Sequence, residues 1–336
     1  NANGVSRRHG EVAREMWRPL FHAQRADDVP IGHVTNGVHL ATFLAGPMRN
    51  LLDRHLGDGW LGRASDPATW GPVEAIPDEE LWAARCEARA QLVEYVRTKS
   101  VQDRLLRGEE PDYVRAAAQT FDAETLTLGF ARRIATYKRL FLLTHDPERV
   151  RTIFSGSPPV QMVIAGKAHP LDDNAKEMLR TAFALRRQNH LGARVTFLEN
   201  YDLSVAAPIV AGCDVWINVP RPPLEASGTS GMKAAVNGGL NLSVLDGWWA
   251  EAYDGENGWA IDGEEGPDEA AQDARHATAL YDTLEREVLP LFHDRDADGI
   301  PRRWLARVKA SLQTNGPRFS AARMVEDYAR SIYPAG

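Results

Sequence analysis

The chain has 336 residues, enough for one large or two ordinary domains, and its 43% hydrophobic and 25% charged residues are typical of a globular protein. Its net charge of −7 argues against a nonspecific nucleic-acid surface, which needs a basic stripe to neutralise phosphates. There is no apolar run of about 18 residues and no charged leader, so neither a membrane span nor a signal peptide is predicted.

The first 120 residues are predicted to be mostly helical. Helical spacing of apolar residues covers 5–24, 44–57 and 78–119, and the strand-like stretch VPIGHVTNGVH ends in a turn at Asn36 and Gly37. The chain lacks an initiator Met and starts at the edge of a helix, so we expect a piece of a longer protein. Only two cysteines, Cys86 and Cys213, are present, which favours a reducing cytoplasm over a disulfide framework.

Beyond residue 120, short apolar runs alternate with helical stretches such as 171–188 and 203–211. The runs are ETLTLGF, VQMVIAGK, ARVTFLEN, CDVWINV and GGLNLSVLDG. This alternation predicts βαβ units, and runs that are apolar on both faces predict helices on both sides of a parallel sheet. We therefore expect a doubly wound, Rossmann-like α/β domain, followed by a helical tail over 268–334 with a break near 294–301.

The stretch EASGTSGMK, residues 225–233, leads from glycines and hydroxyls into a predicted helix. Exposed backbone N–H groups at a helix start can bind an anion, and a tight turn with an N-cap explains the same residues equally well. The Walker P-loop spacing is absent. A lysine in the first turn opposes the helix dipole, which favours a chemical role for Lys233, such as a Schiff base with an aldehyde cofactor.

The stretch ARRIATYKR concentrates positive charge at the end of a predicted strand. Its cations are Arg132, Arg133, Lys138 and Arg139. A solvated basic helix face is the commoner origin of such a run, whereas the carboxyl end of a strand is where a phosphate site is expected.

Two further features are weak. DRDADG at 294–299 begins like an EF-hand loop, but Leu305 stands where the bidentate Glu is required, so no metal site is predicted. Trp248 and Trp249 could stack on a sugar ring, although core packing is the commoner use of such a pair.

Taken in order, these stretches resemble the carboxyl-terminal half of glycogen/α-glucan phosphorylases in their short bacterial form. The likeness covers essentially the whole chain and rests on NGVSRRHGEV, TNGVH, RRIATYKR, AGKAHP, FLENYDLS, EASGTSGMK and NGGLNLSVLDG. It implies the Rossmann-like carboxyl-terminal lobe of a GT-B glycosyltransferase fold. Residues 1–36 would be the end of the amino-terminal lobe, and 37–336 the pyridoxal-phosphate-binding lobe, with a helical segment near 74–119.

The resemblance also implies a reaction and a set of residues. The reaction is reversible, retaining phosphorolysis of the terminal α-1,4-glucosyl unit to α-glucose 1-phosphate, with the phosphate of pyridoxal 5′-phosphate in acid/base catalysis. Lys233 would bind the cofactor as a Schiff base, and Arg133 and Lys138 would act on the substrate phosphate. The other implied cofactor-binding residues are Arg132, Thr229, Ser230 and Tyr201, and the implied substrate-binding residues are Asn36, Tyr137, Glu225, Ala226, Ser227 and Gly228.

The implied partners are an α-1,4-glucan such as glycogen or maltodextrin, inorganic phosphate, the amino-terminal lobe of the same enzyme and, as one possible assembly, a homodimer. Without that lobe the fragment is expected to be inactive. Asp202 stands where the long, eukaryotic-type members carry an arginine, which places one contact to the cofactor phosphate in doubt.

Two alternatives remain open at this point. A nucleotide-sugar-dependent GT-B glucosyltransferase, similar to glycogen synthase, shares the fold and an Arg/Lys pair but does not need Lys233. The second alternative is a non-catalytic carbohydrate- or cofactor-binding fragment.

Overall fold

The computed structural model describes residues 2–188, 191–261, 266 and 268–333. Residues 2–33 form a small amino-terminal unit. In it, β1 (Ala2–Gly4) pairs in parallel with β2 (Ile31–His33), and α1 (Arg7–Trp17) lies between the two strands in the chain. The Ser6 hydroxyl accepts the His9 N–H and so caps α1. The helix predicted over 5–24 is thus shorter in the structure, where it covers only Arg7–Trp17.

A parallel sheet of six strands forms the centre of the described chain, in the order β5-β4-β3-β6-β7-β8. This is the strand order of a doubly wound Rossmann fold, and the predicted fold class is confirmed. The strands are β3 (Leu126–Ile134), β4 (Val160–Ala168), β5 (Val195–Leu198), β6 (Val215–Asn218), β7 (Leu240–Val244) and β8 (Gly258–Ile261).

Helices cover both faces of this sheet, so successive strand residues enter different cores. In β3, Phe130 belongs to one apolar cluster and Ala131 to the other. The helices are α2 (Leu40–Phe43), α3 (Gly46–Leu56), α4 (Pro67–Trp70), α5 (Asp78–Leu106), α6 (Pro111–Ala117), α7 (Pro147–Ser155), α8 (Asp173–Gln188), α9 (Leu203–Gly212), α10 (Ser230–Val236), α11 (Trp249–Ala252), α12 (Glu269–Thr283), α13 (Leu289–His293), α14 (Arg302–Arg318) and α15 (Ala321–Ser331).

The helical predictions are largely confirmed, with one interruption. The expected helix over 78–119 is split between α5 and α6, where Gly108 adopts a left-handed φ of +66°. The predicted break in the tail lies between α13 and α14. Within the described residues, no helix combines the length and the apolar character needed to cross a bilayer.

A buried ion cluster ties α5 to the sheet. Asp214, at the start of β6, accepts the Arg89 guanidinium at 2.8 Å and the Thr127 N–H of β3 at 2.9 Å. Arg85 lies 3.4 Å from the same carboxylate and donates to the Asn237 carbonyl at 2.6 Å. Because Asn237 is the C-cap of α10, the cluster also fixes the end of that short helix.

Residues 34–38 connect the small amino-terminal unit to the rest of the chain by way of α15. Val38 forms a parallel bridge with Ser320, and a Cβ at Gly37 would lie 2.2 Å from the Ser320 carbonyl oxygen. Arg323 of α15 donates to the Thr35 carbonyl at 2.7 Å. Glycine at position 37 is thus required by a close backbone approach.

Candidate functional site

A cleft of about 530 Å³ opens at the carboxyl ends of β3 and β4, where ligands bind in doubly wound sheets. Four predicted site residues line it together with polar groups that follow β4 and β5. The lining includes Arg133, Tyr137, Lys138, Lys167, His169 and Tyr201. With three cations and one lining carboxylate, Asp172, this cleft suits an anionic ligand.

Two predicted cations converge on the predicted sugar-binding glutamate beside this cleft. Lys138 Nζ forms an ion pair with Glu225 Oε2, and Arg132 Nη1 lies 3.8 Å from the same oxygen. Arg132 is 6% exposed and Glu225 is 5% exposed, so these charges are held out of water. Burial, reinforced by Arg132, lowers the pKa of Lys138 to about 8.

The loop that carries Glu225 is folded tightly on itself and on its neighbours. Gly228 has φ +85°, and a Cβ there would lie 3.3 Å from the Glu225 side chain. The Ala226 carbonyl accepts the Ser6 hydroxyl at 2.7 Å, and the Ser227 carbonyl accepts the Trp248 N–H at 2.8 Å. Residues 225–228, which we call the glycine loop, are therefore fixed by hydrogen bonds that their carbonyls accept from the Ser6 hydroxyl and the Trp248 N–H.

Lys233 lies on α10, a helix of seven residues, and falls in its last turn. The expectation that its charge opposes the helix dipole is therefore wrong, because the helix is too short for Lys233 to occupy a distinct first turn. Its ammonium lies 4.2 Å from the centroid of the Phe43 ring, and burial lowers its pKa. No hydrogen bond or ion pair of Nζ occurs within the ranges that the structure describes.

Thr229 and Ser230 lead into α10. Thr229 is the N-cap residue but does not cap the helix with its hydroxyl, and Ser230 Oγ accepts the Trp216 indole N–H at 3.2 Å. Trp216 belongs to β6, so this hydrogen bond seats the start of α10 on the sheet.

Unpaired polar atoms show what kind of group would complete the site. Among the described residues, Arg132 Nε and Ser227 Oγ are buried without a hydrogen-bond partner. Leaving such donors unpaired costs free energy, and an anion would satisfy them. Together with Lys233, whose pKa is lowered by burial, this donor set fits an aldehyde that carries a phosphate.

Arg139 does not belong to the site. It has a left-handed φ of +51°, is fully buried, and donates to the Val219 carbonyl at 3.0 Å and to Asp273 at 2.9 Å. Arg132 is also buried. For Arg132 and Arg139 the interpretation of ARRIATYKR as a solvated basic face is therefore wrong, because carbonyls and carboxylates inside the lobe hold these guanidiniums, whereas Arg133 is exposed.

Tyr201 and Asp202 follow β5. The Tyr201 hydroxyl donates to the Ala131 carbonyl at 3.3 Å, which places the ring against the end of β3. Asp202 accepts the Val205 N–H at 3.0 Å and is the N-cap of α9. Where the long members of the resembled family carry an arginine, this chain therefore has a helix cap.

Asn36 is connected to the glycine loop through Val5 and Ser6. Its N–H donates to the Val5 carbonyl at 3.0 Å, and the adjacent Ser6 donates to Ala226. Lys233 shares no direct contact with Arg132, Arg133 or Lys138 among the described residues.

Several residues of the site escaped sequence reasoning. Lys167 is the penultimate residue of β4 and His169 directly follows the strand, so their position at a strand end could have identified them. Phe43, which faces Lys233, gave no sequence signal. Asp246, which accepts the Glu225 N–H, stands at the end of the strand-like stretch NGGLNLSVLDG but was assigned no role.

The two weak sequence features are structural. Trp248 and Trp249 are buried and contact each other at a centroid distance of 5.1 Å, so the core-packing interpretation is confirmed. Asp296 accepts the backbone N–H groups of Asp298 and Ile300, which makes the DRDADG stretch a capped loop. The described residues contain no acidic, histidine or cysteine group arranged to hold a metal ion.

Fold and site together define a Rossmann-like lobe with a cationic cleft at the carboxyl ends of β3 and β4. Comparison with known proteins agrees. A family model described as carbohydrate phosphorylase matches residues 1–256, so the chain belongs to the carbohydrate phosphorylase family.

Named relatives extend this result. A glycogen phosphorylase of Mycobacterium tuberculosis is 45% identical over 99% of this chain, and a maltodextrin phosphorylase of Thermococcus litoralis is 42% identical over 98%. A glycogen phosphorylase of Aquifex aeolicus is 40% identical over 98%. The chain spans 38%, 39% and 47% of these three proteins, respectively, which is less than half of each.

Proposed function

We propose that this chain is the carboxyl-terminal part of an α-1,4-glucan phosphorylase that releases α-glucose 1-phosphate by reversible, retaining phosphorolysis. The observation that carries the proposal is the convergence of Lys138 and Arg132 on Glu225 at the edge of a cationic cleft. In this cluster, Lys138 and Arg132 can donate hydrogen bonds to a phosphate, and Glu225 can accept one from a sugar hydroxyl. The relatives named above as glycogen and maltodextrin phosphorylases support the choice of substrate.

We further propose that the lobe binds pyridoxal 5′-phosphate. Lys233 would hold its aldehyde carbon, while Arg132, Thr229, Ser230 and Tyr201 would surround the cofactor. When bound, the cofactor supplies a phosphate as the acid/base group. The unpaired Arg132 Nε and the lowered pKa of Lys233 support this assignment.

In this proposal the positively charged side chains bind the phosphate, and the negatively charged Glu225 binds the sugar. Arg133 and Lys138 line the cleft and would hold the substrate phosphate, since two neighbouring cations stabilise a dianion. Glu225 would accept a glucosyl hydroxyl, and the backbone of the glycine loop, with Tyr137 and Asn36, would orient the sugar ring. A phosphate entering the cleft competes with Glu225 for Lys138, which would free the carboxylate for the sugar.

The missing wall of the site would come from the amino-terminal lobe of the same enzyme, of which we propose residues 1–36 to be the end. Four large apolar side chains near the end of α1 are 45% to 66% exposed, and they are Met16, Trp17, Leu20 and Phe21. Such an exposed apolar group is typical of a surface that another part of a protein covers. We propose a cytoplasmic enzyme, in keeping with its two free cysteines.

Of the alternatives, the nucleotide-sugar-dependent transferase is disfavoured because it gives Lys233 no role and because the chain matches the phosphorylase family. A non-catalytic fragment remains the second candidate for the chain in isolation, since the chain spans under half of its relatives.

The test uses the full-length protein with maltodextrin. We expect glucose 1-phosphate to be released in proportion to added inorganic phosphate and no transfer from UDP-glucose or ADP-glucose. Transfer from a nucleotide sugar without phosphorolysis would establish the transferase, and turnover by the 336-residue chain alone would exclude the non-catalytic fragment.

Replacing Glu225 with glutamine is expected to weaken glucose binding by roughly 1–3 kcal/mol, because a charge-assisted hydrogen bond to a sugar hydroxyl is lost. Phosphate affinity should not fall, since Lys138 loses a competing carboxylate. Inhibition constants for glucose and the KM for phosphate measure the two effects. The matched control is E256Q, which changes an exposed glutamate. Unchanged glucose inhibition in E225Q would show that this residue does not bind the sugar.

Phosphate affinity is expected to decline as the pH rises above about 8. Burial lowers the pKa of Lys138 to about 8, so the ammonium is present below that pH and is lost above it. In the K138R variant the guanidinium stays charged, and the decline should disappear. The KM for phosphate measured from pH 7 to about pH 9.5 tests this. A decline of equal size in K138R would assign it to another group.

A further inference from the structure

Asp246, two residues after the end of β7, is fully buried and accepts backbone N–H groups with both carboxylate oxygens. Oδ2 accepts the Glu225 N–H at 2.9 Å, and Oδ1 accepts the Gly247 N–H at 2.8 Å. One side chain therefore joins the first residue of the glycine loop to the turn that ends β7. Glu225 and Asp246 are 21 positions apart in the chain.

The residues after Asp246 hold the same loop at its centre. The Trp248 N–H donates to the Ser227 carbonyl at 2.8 Å. Gly247 has φ +55°, and a Cβ there would lie 2.5 Å from the Ser227 carbonyl oxygen and 3.0 Å from Glu225 Cγ. Residues 246–248, which we call the β7 clamp, thus contact the glycine loop at both Glu225 and Ser227.

A carboxylate at this position is unfavourable in itself. Burial, together with the nearby Glu225 charge, raises the pKa of Asp246 to about 6. An asparagine of the same shape would avoid this cost but would present only one acceptor to two N–H groups. An aspartate offers one acceptor oxygen to the Glu225 N–H and the other to the Gly247 N–H, which explains why this position carries a carboxylate.

From this geometry we propose that Asp246 is a positioning residue for glucosyl recognition. It sets the backbone of Glu225 so that the side chain of Glu225 reaches Lys138 and, in the working enzyme, the sugar hydroxyl. The inference rests on the proposed function of the glycine loop. It assigns Asp246 no contact with the substrate, the phosphate or the cofactor.

The test compares D246N with D254N in the full-length protein. Asp254 is the matched control because its carboxylate also accepts two backbone N–H groups, those of Glu256 and Asn257, but with a single oxygen in an exposed turn. An asparagine can therefore keep both hydrogen bonds at 254 and only one at 246. We expect D246N to raise the inhibition constant for glucose at least about tenfold, corresponding to one lost charge-assisted hydrogen bond. The KM for phosphate should stay within about twofold, and D254N should change neither value.

Hydrogen exchange of the protein without substrate provides a readout that does not depend on activity. Amides of residues 224–229 should exchange at least about tenfold faster in D246N, while those of β3 and β4 keep their wild-type rates. If D246N does not fold, the same measurements are made on G247A, whose added Cβ displaces the Ser227 carbonyl. Wild-type exchange and wild-type glucose inhibition in the folded variant would overturn the proposal. If wild-type protein fails to phosphorolyse glucan, the proposed function is wrong, and the exchange result still decides whether Asp246 holds the loop.

Discussion

Replacing Lys138 with methionine in the full-length protein is expected to lower kcat for phosphorolysis about 10²- to 10³-fold and to raise the KM for phosphate, with the cofactor still bound. Lys138 lines the cationic cleft and is the ion-pair partner of Glu225. Removing a preorganised positive group from a buried site costs about 3–4 kcal/mol of transition-state stabilisation. Because Lys138 is assigned to the substrate phosphate rather than to the cofactor, the absorbance of the bound cofactor should not change.

The matched control is K176M, which removes a lysine on α8 that is paired with exposed Asp173. This variant should behave as wild type, since surface ion pairs contribute little. Arg133 lines the same cleft, and R133M should resemble K138M in its phosphate dependence. A K138M enzyme with wild-type kcat and an unchanged KM for phosphate would remove Lys138 from the phosphate site.

Replacing Asp214 with asparagine is expected to lower the free energy of unfolding by about 3–5 kcal/mol, because two buried guanidiniums lose their counter-charge. Asp214, Arg85 and Arg89 are all 1% exposed or less, so water cannot replace the carboxylate. The loss is a large share of the roughly 5–15 kcal/mol by which domains are stable. Urea denaturation of wild type and D214N measures the difference.

We expect D214N also to affect the position of Lys233 in the site. Arg85 donates to the Asn237 carbonyl at the C-cap of α10, so loosening the cluster should loosen the helix that carries Lys233. The control is D254N, in an exposed turn, which should leave the urea midpoint nearly unchanged. A loss below about 1 kcal/mol in D214N would mean that the guanidiniums are satisfied by their carbonyl partners alone.

The central strands could be predicted because each is buried on both faces and therefore reads as a continuous apolar run. Seven of the nine residues of β4 are buried, and its sequence, VQMVIAGKA, is mostly apolar. β8 was not predicted, since GWAI is four residues long, begins with glycine and forms its ladder only against β7. β1 has three residues and pairs with β2, which lies 29 positions later, so no local pattern announced it.

Some residues of the candidate site could also be predicted from the sequence, and others could not. Arg133 and Lys138 were predicted because polar residues after parallel strands gather at one edge of the sheet, whereas Tyr201 was predicted only from the family resemblance. Arg139 was grouped with them because a run of charges does not reveal which side chain turns inward. Phe43 could not be found, since its role comes from a contact with Lys233 across a long stretch of chain. The end of a predicted strand marked Asp246, but nothing local indicated its hydrogen bond to Glu225.

A peptide mass spectrum of the full-length protein, recorded after incubation with pyridoxal 5′-phosphate and reduction with borohydride, tests the proposed role of Lys233. We expect a single reduced pyridoxyl adduct on Lys233, whose amine is half-buried beside Phe43 and free of ion pairs among the described residues. Lys138 and Lys167, which line the cleft, should remain unmodified. An unmodified Lys233 in the full-length protein, or an adduct on either of those two lysines instead, would contradict it.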